Sequence, residues 1–133
     1  MLRAVIDTNV LFEGLTIEGT CGLIVDCWVN QLFVPCVSTA LTYEYQDVLG
    51  RKIGEKRKDT ILKVLQALLN RAEFVPIYFS YRPCSLDPGD DLVIDCTLNA
   101  QACLVTLNLK DFKEPAKRLG FSLFSPKEFL KRI

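Results

Sequence analysis

The chain has 133 residues and a mass of 15.0 kDa, enough for one domain with a real core and too little for two. Half of its residues are apolar and its mean hydropathy is +0.21, which excludes extended disorder. Its 16 basic and 16 acidic residues cancel, so no global positive field gathers nucleic acid, and any grip on a phosphate backbone has to be local.

An aspartate interrupts what would have to be the apolar stretch of a signal peptide in MLRAVIDTNV, and no later run reaches the length of a membrane span. The expected setting is the cytoplasm. The six cysteines (Cys21, Cys27, Cys36, Cys84, Cys96, Cys103) show no CxxC and no zinc spacing, and there is no histidine to complete a mixed site. They read as small core residues in a reducing compartment, since a catalytic thiol would lack its usual imidazole base.

Leu2 to Ile6 is a short apolar run ending at Asp7, the pattern of a buried central strand. Thr20 to Val29 places Cys21, Leu23, Ile24, Cys27 and Trp28 at helical spacing. A second strand follows over Leu32 to Cys36, where Pro35 marks a strand end or an edge. Ser38 or Thr39 caps a helix that runs to about Leu49 and stops near Gly50. Residues 56 to 71 form an amphipathic helix whose basic first turn opposes the helix dipole, either serving an anionic partner or lying as solvated surface. Phe74 to Tyr78 is the third strand, and Tyr81 to Pro88 a turn-rich loop.

Asp87, Pro88 and Asp90 then open a helix that reaches Ala102: an acidic cap, a proline in the first turn, an acid at the third position. Leu104 to Thr106 is the fourth strand, 115 to 119 a short helix and Ser122 to Phe124 the fifth strand. Ser125-Pro126 opens a terminal helix through Leu130. No repeat, linker or low-complexity tract divides the chain, so residues 1–133 read as a single domain. Strands alternating with helices imply a parallel sheet covered on both faces.

Four acidic positions, far apart in the chain, fall where such a sheet delivers them to one edge. They are Asp7 in VIDTNVL, Glu44 in LTYEYQDVL, Asp90 and Asp91 in DPGDD, and Asp111 in VTLNLKDF. Each has an ordinary reading as well. Asp7 can be a helix cap, Glu44 an exposed helix residue, and Asp90 or Asp91 a charge favoured by a first turn. Asp90 shares a face with Ile94 and Thr97 and is the better directed of its pair. Asp95 in mid-helix is unfavourable by propensity and repels Asp91, which suggests a functional reason. Thr8 and Asn9 can hold the Asp7 carboxylate or touch phosphate, and Thr106 and Asn108 end the fourth strand beside Asp111. Gathered carboxylates repel one another unless a cation lies between them. With hard oxygen donors and no histidine, the expected cation is Mg²⁺ or Mn²⁺, and its expected use is phosphodiester hydrolysis. Arg51, Lys52, Lys56, Arg57, Lys58 and Lys110 are candidate phosphate contacts or plain surface charge.

The stretches VIDTNVLFEG, STALTYEYQDVL, DPGDDLVIDCTLNAQACLVTLNLKDF and FSLFSPKEFL, in this order from Val5 to Leu130, resemble the PIN domain. That is the metal-dependent ribonuclease fold of VapC-type toxins and many RNA-processing nucleases. The DPxDD start and VTLNLKDF end most resemble the PIN group of toxin–antitoxin toxins. The resemblance implies a three-layer α/β/α sandwich with a five-stranded parallel sheet of order 3-2-1-4-5. It implies Asp7, Glu44 and Asp90 as the first three acidic positions. At the fourth, many relatives carry an aspartate two residues after the threonine of strand four, where this chain has Asn108 and its nearest acid is Asp111. Gly89 stands where an acid is frequent.

The implied function is a metal-dependent endoribonuclease, in the manner of the toxin of a toxin–antitoxin pair. Asp7, Glu44, Asp90 and Asp111 would hold Mg²⁺ or Mn²⁺, and single-stranded or looped RNA is the substrate. A catalytically weak or inactive module of the same fold, binding RNA or protein, is the alternative that Asn108 and the neutral charge support. A phosphatase using aspartate is a further one, without the usual nucleophile loop. A toxin-like member needs an antitoxin protein in the crevice and an adjoining apolar groove. Leu11, Phe12, Leu15, Ile17, Tyr43 and Tyr45 would line it, unless they simply pack the first helix on the second. A symmetric homodimer is also expected, through the helix from Lys56 to Arg71 and the helix carrying Tyr43 and Tyr45.

Overall fold

Four residues, Arg3–Ile6, form the central strand β1, and its last three are buried against neighbours on every side. The computed structural model describes residues 1–81 and 87–133. β1 pairs in parallel with β2 (Val34–Val37) on one side and β4 (Cys103–Val105) on the other. β3 (Glu73–Phe74) extends the sheet beyond β2, and β5 (Leu123–Phe124) beyond β4. The order is 3-2-1-4-5 with every pair parallel, and the intervening helices complete an α/β/α sandwich, as expected. Parallel pairing forces each crossover to pack a helix over the sheet, which is why the central strands are apolar without alternation.

The helices are α1 (Thr8–Thr16), α2 (Gly19–Val29), α3 (Thr39–Lys52), α4 (Glu55–Leu69), α5 (Pro88–Ala100), α6 (Leu109–Leu119) and α7 (Pro126–Leu130). The α2, α4 and α7 side of the core closes on aromatic rings. The Trp28 indole N–H donates to the Leu68 carbonyl at 2.8 Å, and Phe33 meets Phe129 edge-on at 5.1 Å. Register decides what happens at the carboxyl edge. Ile6 lies opposite Val105, so Asp7 and Thr106 step off adjacent strands at the same level.

Several elements differ from the sequence reading, each for a local reason. α1, absent from the chain-order reading, starts directly at Asp7, which caps it by accepting the Thr8 amide. α3 passes through Gly50 and ends at Lys52, since one glycine costs only about 1 kcal/mol in a helix packed on its neighbours. β3 is two residues, not Phe74 to Tyr78. Val75 donates a last bond to Val37, Pro76 has no N–H to offer, and the Tyr78 amide turns to the Asn99 side chain. α5 stops at Ala100 rather than Ala102, because Gln101 takes the left-handed conformation usually left to glycine. α6 starts at Leu109 and carries Pro115 inside it, whereas the reading took the proline as a helix start. Most of the loop read over Tyr81 to Pro88, with Cys84, lies outside the described residues. The other five cysteines are free thiols, four of them buried.

Candidate metal centre

The site begins with two strand ends. Asp7 is buried where β1 stops, and both of its carboxylate oxygens are held. Oδ1 accepts the Thr8 amide at 2.9 Å, and Oδ2 accepts the Thr106 hydroxyl at 2.7 Å. Thr106, fully buried at the end of β4, in turn accepts the Asn108 amide at 3.0 Å. The Tyr45 hydroxyl donates to the Ile6 carbonyl, tying α3 to the strand one residue before Asp7.

Two helices bring further carboxylates to that point. Glu44 lies one residue before Tyr45 on α3, half-buried. Asp87 caps α5 by accepting the Gly89 amide at 2.9 Å, and Asp90 follows in the first turn. Glu44 reaches so near that turn that a Cβ on Gly89 would meet its Oε1 at 3.2 Å and the Asp87 Oδ1 at 3.3 Å. Asp7, Glu44, Asp87 and Asp90 thus line one cavity of about 270 Å³, with Thr8, Asn9, Arg51 and Lys52 on its walls.

The electrostatics record the crowding. Burial pushes the Asp90 carboxyl up to about 7, and the charges of Asp7, Asp87, Asp111 and Asp91 push the same way. Asp7 is raised by burial first, its bonds to Thr106 and Thr8 hold it down, and Asp87 and Glu44 raise it again. Two helix N-termini, of α1 at Asp7 and of α5 at Asp87, face this concentration of negative charge and offset part of it.

Three of the four sequence-predicted acids therefore meet: Asp7, Glu44 and Asp90. Asp111, exposed in the first turn of α6, does not line the cavity and acts on Asp90 through its charge. Asn108 is exposed and caps α6 without a side-chain bond. Asp91 is buried outside the lining, and Asp95 accepts the Ser80 hydroxyl at 2.9 Å, so its mid-helix position has a structural use. Asp87 is the member that sequence reasoning took only as a cap. Its signal was present: it stands one helical turn before Asp90 and so shares its side of α5.

The donors suit a hard divalent cation, being carboxylates with no thiol or imidazole among them. Among the described residues, no three acidic or thiol side chains already stand at metal-ligand spacing. The cavity offers hard oxygen donors that are not drawn together to ligand distance. Cation binding would offset the burial and the neighbouring charge that together raise Asp90.

Known proteins agree with this architecture. The model of the PIN domain family matches residues 3–110. The solved structure of VapBC2 from Rickettsia felis, bound to a DNA fragment from its promoter, superposes with a TM-score of 0.64 at 16% identity, covering 93% of this chain and 98% of that one. A PilT N-terminus domain protein, SSO1118 from Sulfolobus solfataricus P2, gives 0.53 at 17% identity, covering 98% and 92%. No curated protein matches the chain significantly in sequence.

Proposed function

The chain belongs to the PIN domain family, and from that premise we propose that it is a metal-dependent endoribonuclease hydrolysing RNA phosphodiester bonds. The observation that carries the reading is the single cavity where Asp7, Glu44, Asp87 and Asp90 meet at the carboxyl ends of β1 and β4. Asp7, Glu44 and Asp90 would hold Mg²⁺ or Mn²⁺, Asp87 bordering them and Asp111 adding charge from α6. When bound, the ion supplies Lewis acidity, acidifying a water and offsetting charge that builds on the phosphate.

The chain's own residues do the rest. Thr8 and Thr106 fix both oxygens of Asp7, so the innermost carboxylate keeps one orientation. With its carboxyl raised to about 7, Asp90 is only partly ionised at neutral pH, so cation binding would be expected to release protons. The decisive experiment is cleavage of single-stranded RNA with Mn²⁺, with EDTA and Asp7→Asn as controls. Activity surviving both would sink the reading.

The open ligand spacing and Asn108 favour one other reading, a PIN-fold module that binds RNA or protein without cleaving it. Calorimetric titration with Mg²⁺ and Mn²⁺ separates the two, and absence of binding below the millimolar range would favour the module. A VapC-like nuclease in the cytoplasm needs a protein inhibitor, and co-purification with the product of an adjacent gene tests for an antitoxin. Of the residues expected to line its groove, Leu11 and Tyr45 are fully buried and unavailable, while Ile17 and Tyr43 are exposed. A homodimer through α3 and α4 completes the reading. A sedimentation profile with only the 15 kDa species at tens of micromolar would count against it.

A further inference from the structure

The acidic cavity has a basic wall that the hydrolytic reading leaves without a task. α3 supplies both sides: Glu44 joins the carboxylates, and two turns later Arg51 and Lys52 line the same space. The two bases are in different states. Arg51 Nε donates to Asp47 at 3.1 Å and is partly neutralised there. The Lys52 ammonium sits 5.3 Å from the centroid of the Phe12 ring on α1. An aromatic face orders an ammonium without cancelling its charge, so the full positive charge stays available to an anion.

Helix geometry says which anion. Lys52 is eight residues beyond Glu44, roughly 12 Å along the α3 axis, and Phe12 is one turn beyond Thr8, about 5–6 Å along α1. The backbone positions of Lys52 and Phe12 therefore stand a turn or more from Glu44 and Thr8, and Lys52 enters the cavity from the wall that Phe12 supports. We propose that Lys52 is a positioning residue that grips the phosphate neighbouring the scissile one on a single RNA strand, with Phe12 as its seat. This rests on RNA hydrolysis at the acidic set and adds the requirement for a second phosphate. The competing structural role is a lysine in the last turn of α3, complementing the helix C-terminus.

Binding and turnover together test it. In an Asp7→Asn background, which leaves bound RNA intact, the affinity for a labelled oligouridylate of about twelve nucleotides is read by fluorescence anisotropy from about 20 to 200 mM KCl. Adding Lys52→Ala should weaken binding roughly fivefold at low salt and lower the salt slope by about 0.7, one phosphate on a single strand. Lys52→Arg should restore the slope, and Phe12→Leu, which keeps apolar volume on α1, should lose part of it. With the acids intact, the loss from Lys52→Ala should fall on KM, and the preference for the long strand over the dinucleotide UpU should drop about fivefold. UpU has no neighbouring phosphate.

An unchanged slope and KM would overturn the proposal in favour of helix capping. An equal loss on UpU would overturn it too, by putting Lys52 at the scissile phosphate. A slope that falls by one phosphate in a chain that cleaves nothing would end the nuclease reading and leave the Lys52 contact standing. A chain that binds no RNA at any salt would end both.

Discussion

Two cavities open at opposite ends of the same strands, and the larger one is the quieter. At the amino ends a cavity of about 690 Å³ is bounded by Arg3, Leu98, Ala102, Phe121 and Arg132. Among the described residues no carboxylate lines it, and like charges do not crowd there. The Arg3 guanidinium donates to the Ala100 carbonyl at 3.0 Å and pairs with Glu73, and that of Arg132 rests 5.0 Å over the Phe124 ring. The cavity at the carboxyl ends is about 270 Å³ and holds four carboxylates, where burial first and neighbouring charge second raise proton affinity at Asp7 and Asp90. Volume does not distinguish them; unrelieved field does, and carboxylates are left in that state where a cation or proton has work to do. Parallel topology explains the asymmetry, since the strand ends and the α1 and α5 N-termini converge on one edge only.

The sharpest way to break the contrast is to remove one charge at each end. Asp7→Asn should lower Mn²⁺-dependent RNA cleavage by about 100-fold or more, because even partners behind a metal ligand cost roughly 10–100-fold. Arg132→Ala at the amino-end cavity should stay within about twofold, the behaviour of a distant, independent site. Equal losses from the two would mean that the edge with the strong field is not where hydrolysis occurs.

Next in size is the support behind Asp7. Thr106→Val keeps the buried shape and deletes the hydroxyl that binds the Asp7 Oδ2 and receives the Asn108 amide. Cleavage should fall roughly 10-fold or more, and stability by about 1–3 kcal/mol for lost hydrogen bonds to a buried charge. Thr106→Ser should recover most of both. Kinetics of the pair against Asp7→Asn would show whether Thr106 acts only through that carboxylate. A Thr106→Val enzyme at the parent rate would mean that Asp7 needs no such anchor.

How much of this edge could be seen beforehand follows from what each signal depends on. Asp7 was legible because a buried strand ending in a carboxylate is a local pattern, and Glu44 and Asp90 followed once helices were placed between strands. The DPGDD start gave the α5 cap directly, with Asp87 accepting the Gly89 amide as such a cap should. Asp111 was harder. Its position after β4 was right, but α6 starts at Leu109 and turns it outward, and that depended on tolerating Pro115 inside a helix. Asp95 was only partly legible for a related reason. Its partner, Ser80, falls between the strand read to Tyr78 and the loop read from Tyr81, and a non-local bond cannot be seen in spacing. The basic wall was visible only as a set of candidates, because the seat of Lys52 on Phe12 requires two helices far apart in the chain to meet.

A smaller effect tests the field itself. Asp90 carries its proton up to about pH 7 in the folded chain, for reasons of burial first and neighbouring charge second, against an ordinary carboxylate value of 3.8 unfolded. Below 3.8 both states are protonated and nothing is lost. As pH rises through the window to about 7, the folded state keeps a proton that the unfolded state has released, and stability falls until the folded carboxyl ionises. Asp90→Asn has no such proton to lose. In EDTA it should melt higher than the parent at pH 8, by roughly 3–4 °C for each kcal/mol relieved in a chain of this length, with no advantage at pH 4. Mg²⁺ should raise the parent's melting temperature at pH 8 more than that of Asp90→Asn. A gain of the same size at both pH values would trace the effect to something other than ionisation.

The smallest difference lies in two glycines, one beside each cavity. Gly120 ends α6 with φ at 80° and nothing within 4 Å of a would-be Cβ, so Gly120→Ala strains the backbone and should cost about 1 kcal/mol. Divalent-ion affinity should not move. Gly89 is the reverse case. Its backbone is ordinary helix, where alanine gains up to about 1 kcal/mol, but the added carbon stands 3.2 Å from the Glu44 Oε1 and 3.3 Å from the Asp87 Oδ1. The carboxylate ends must give by a few tenths of an ångström. Gly89→Ala should therefore be nearly neutral in thermal unfolding while weakening Mn²⁺ binding about two- to threefold by calorimetry, roughly half a kcal/mol. If Gly89→Ala binds Mn²⁺ as the parent does, the approach of Glu44 to the first turn of α5 is not what sets the ion's place.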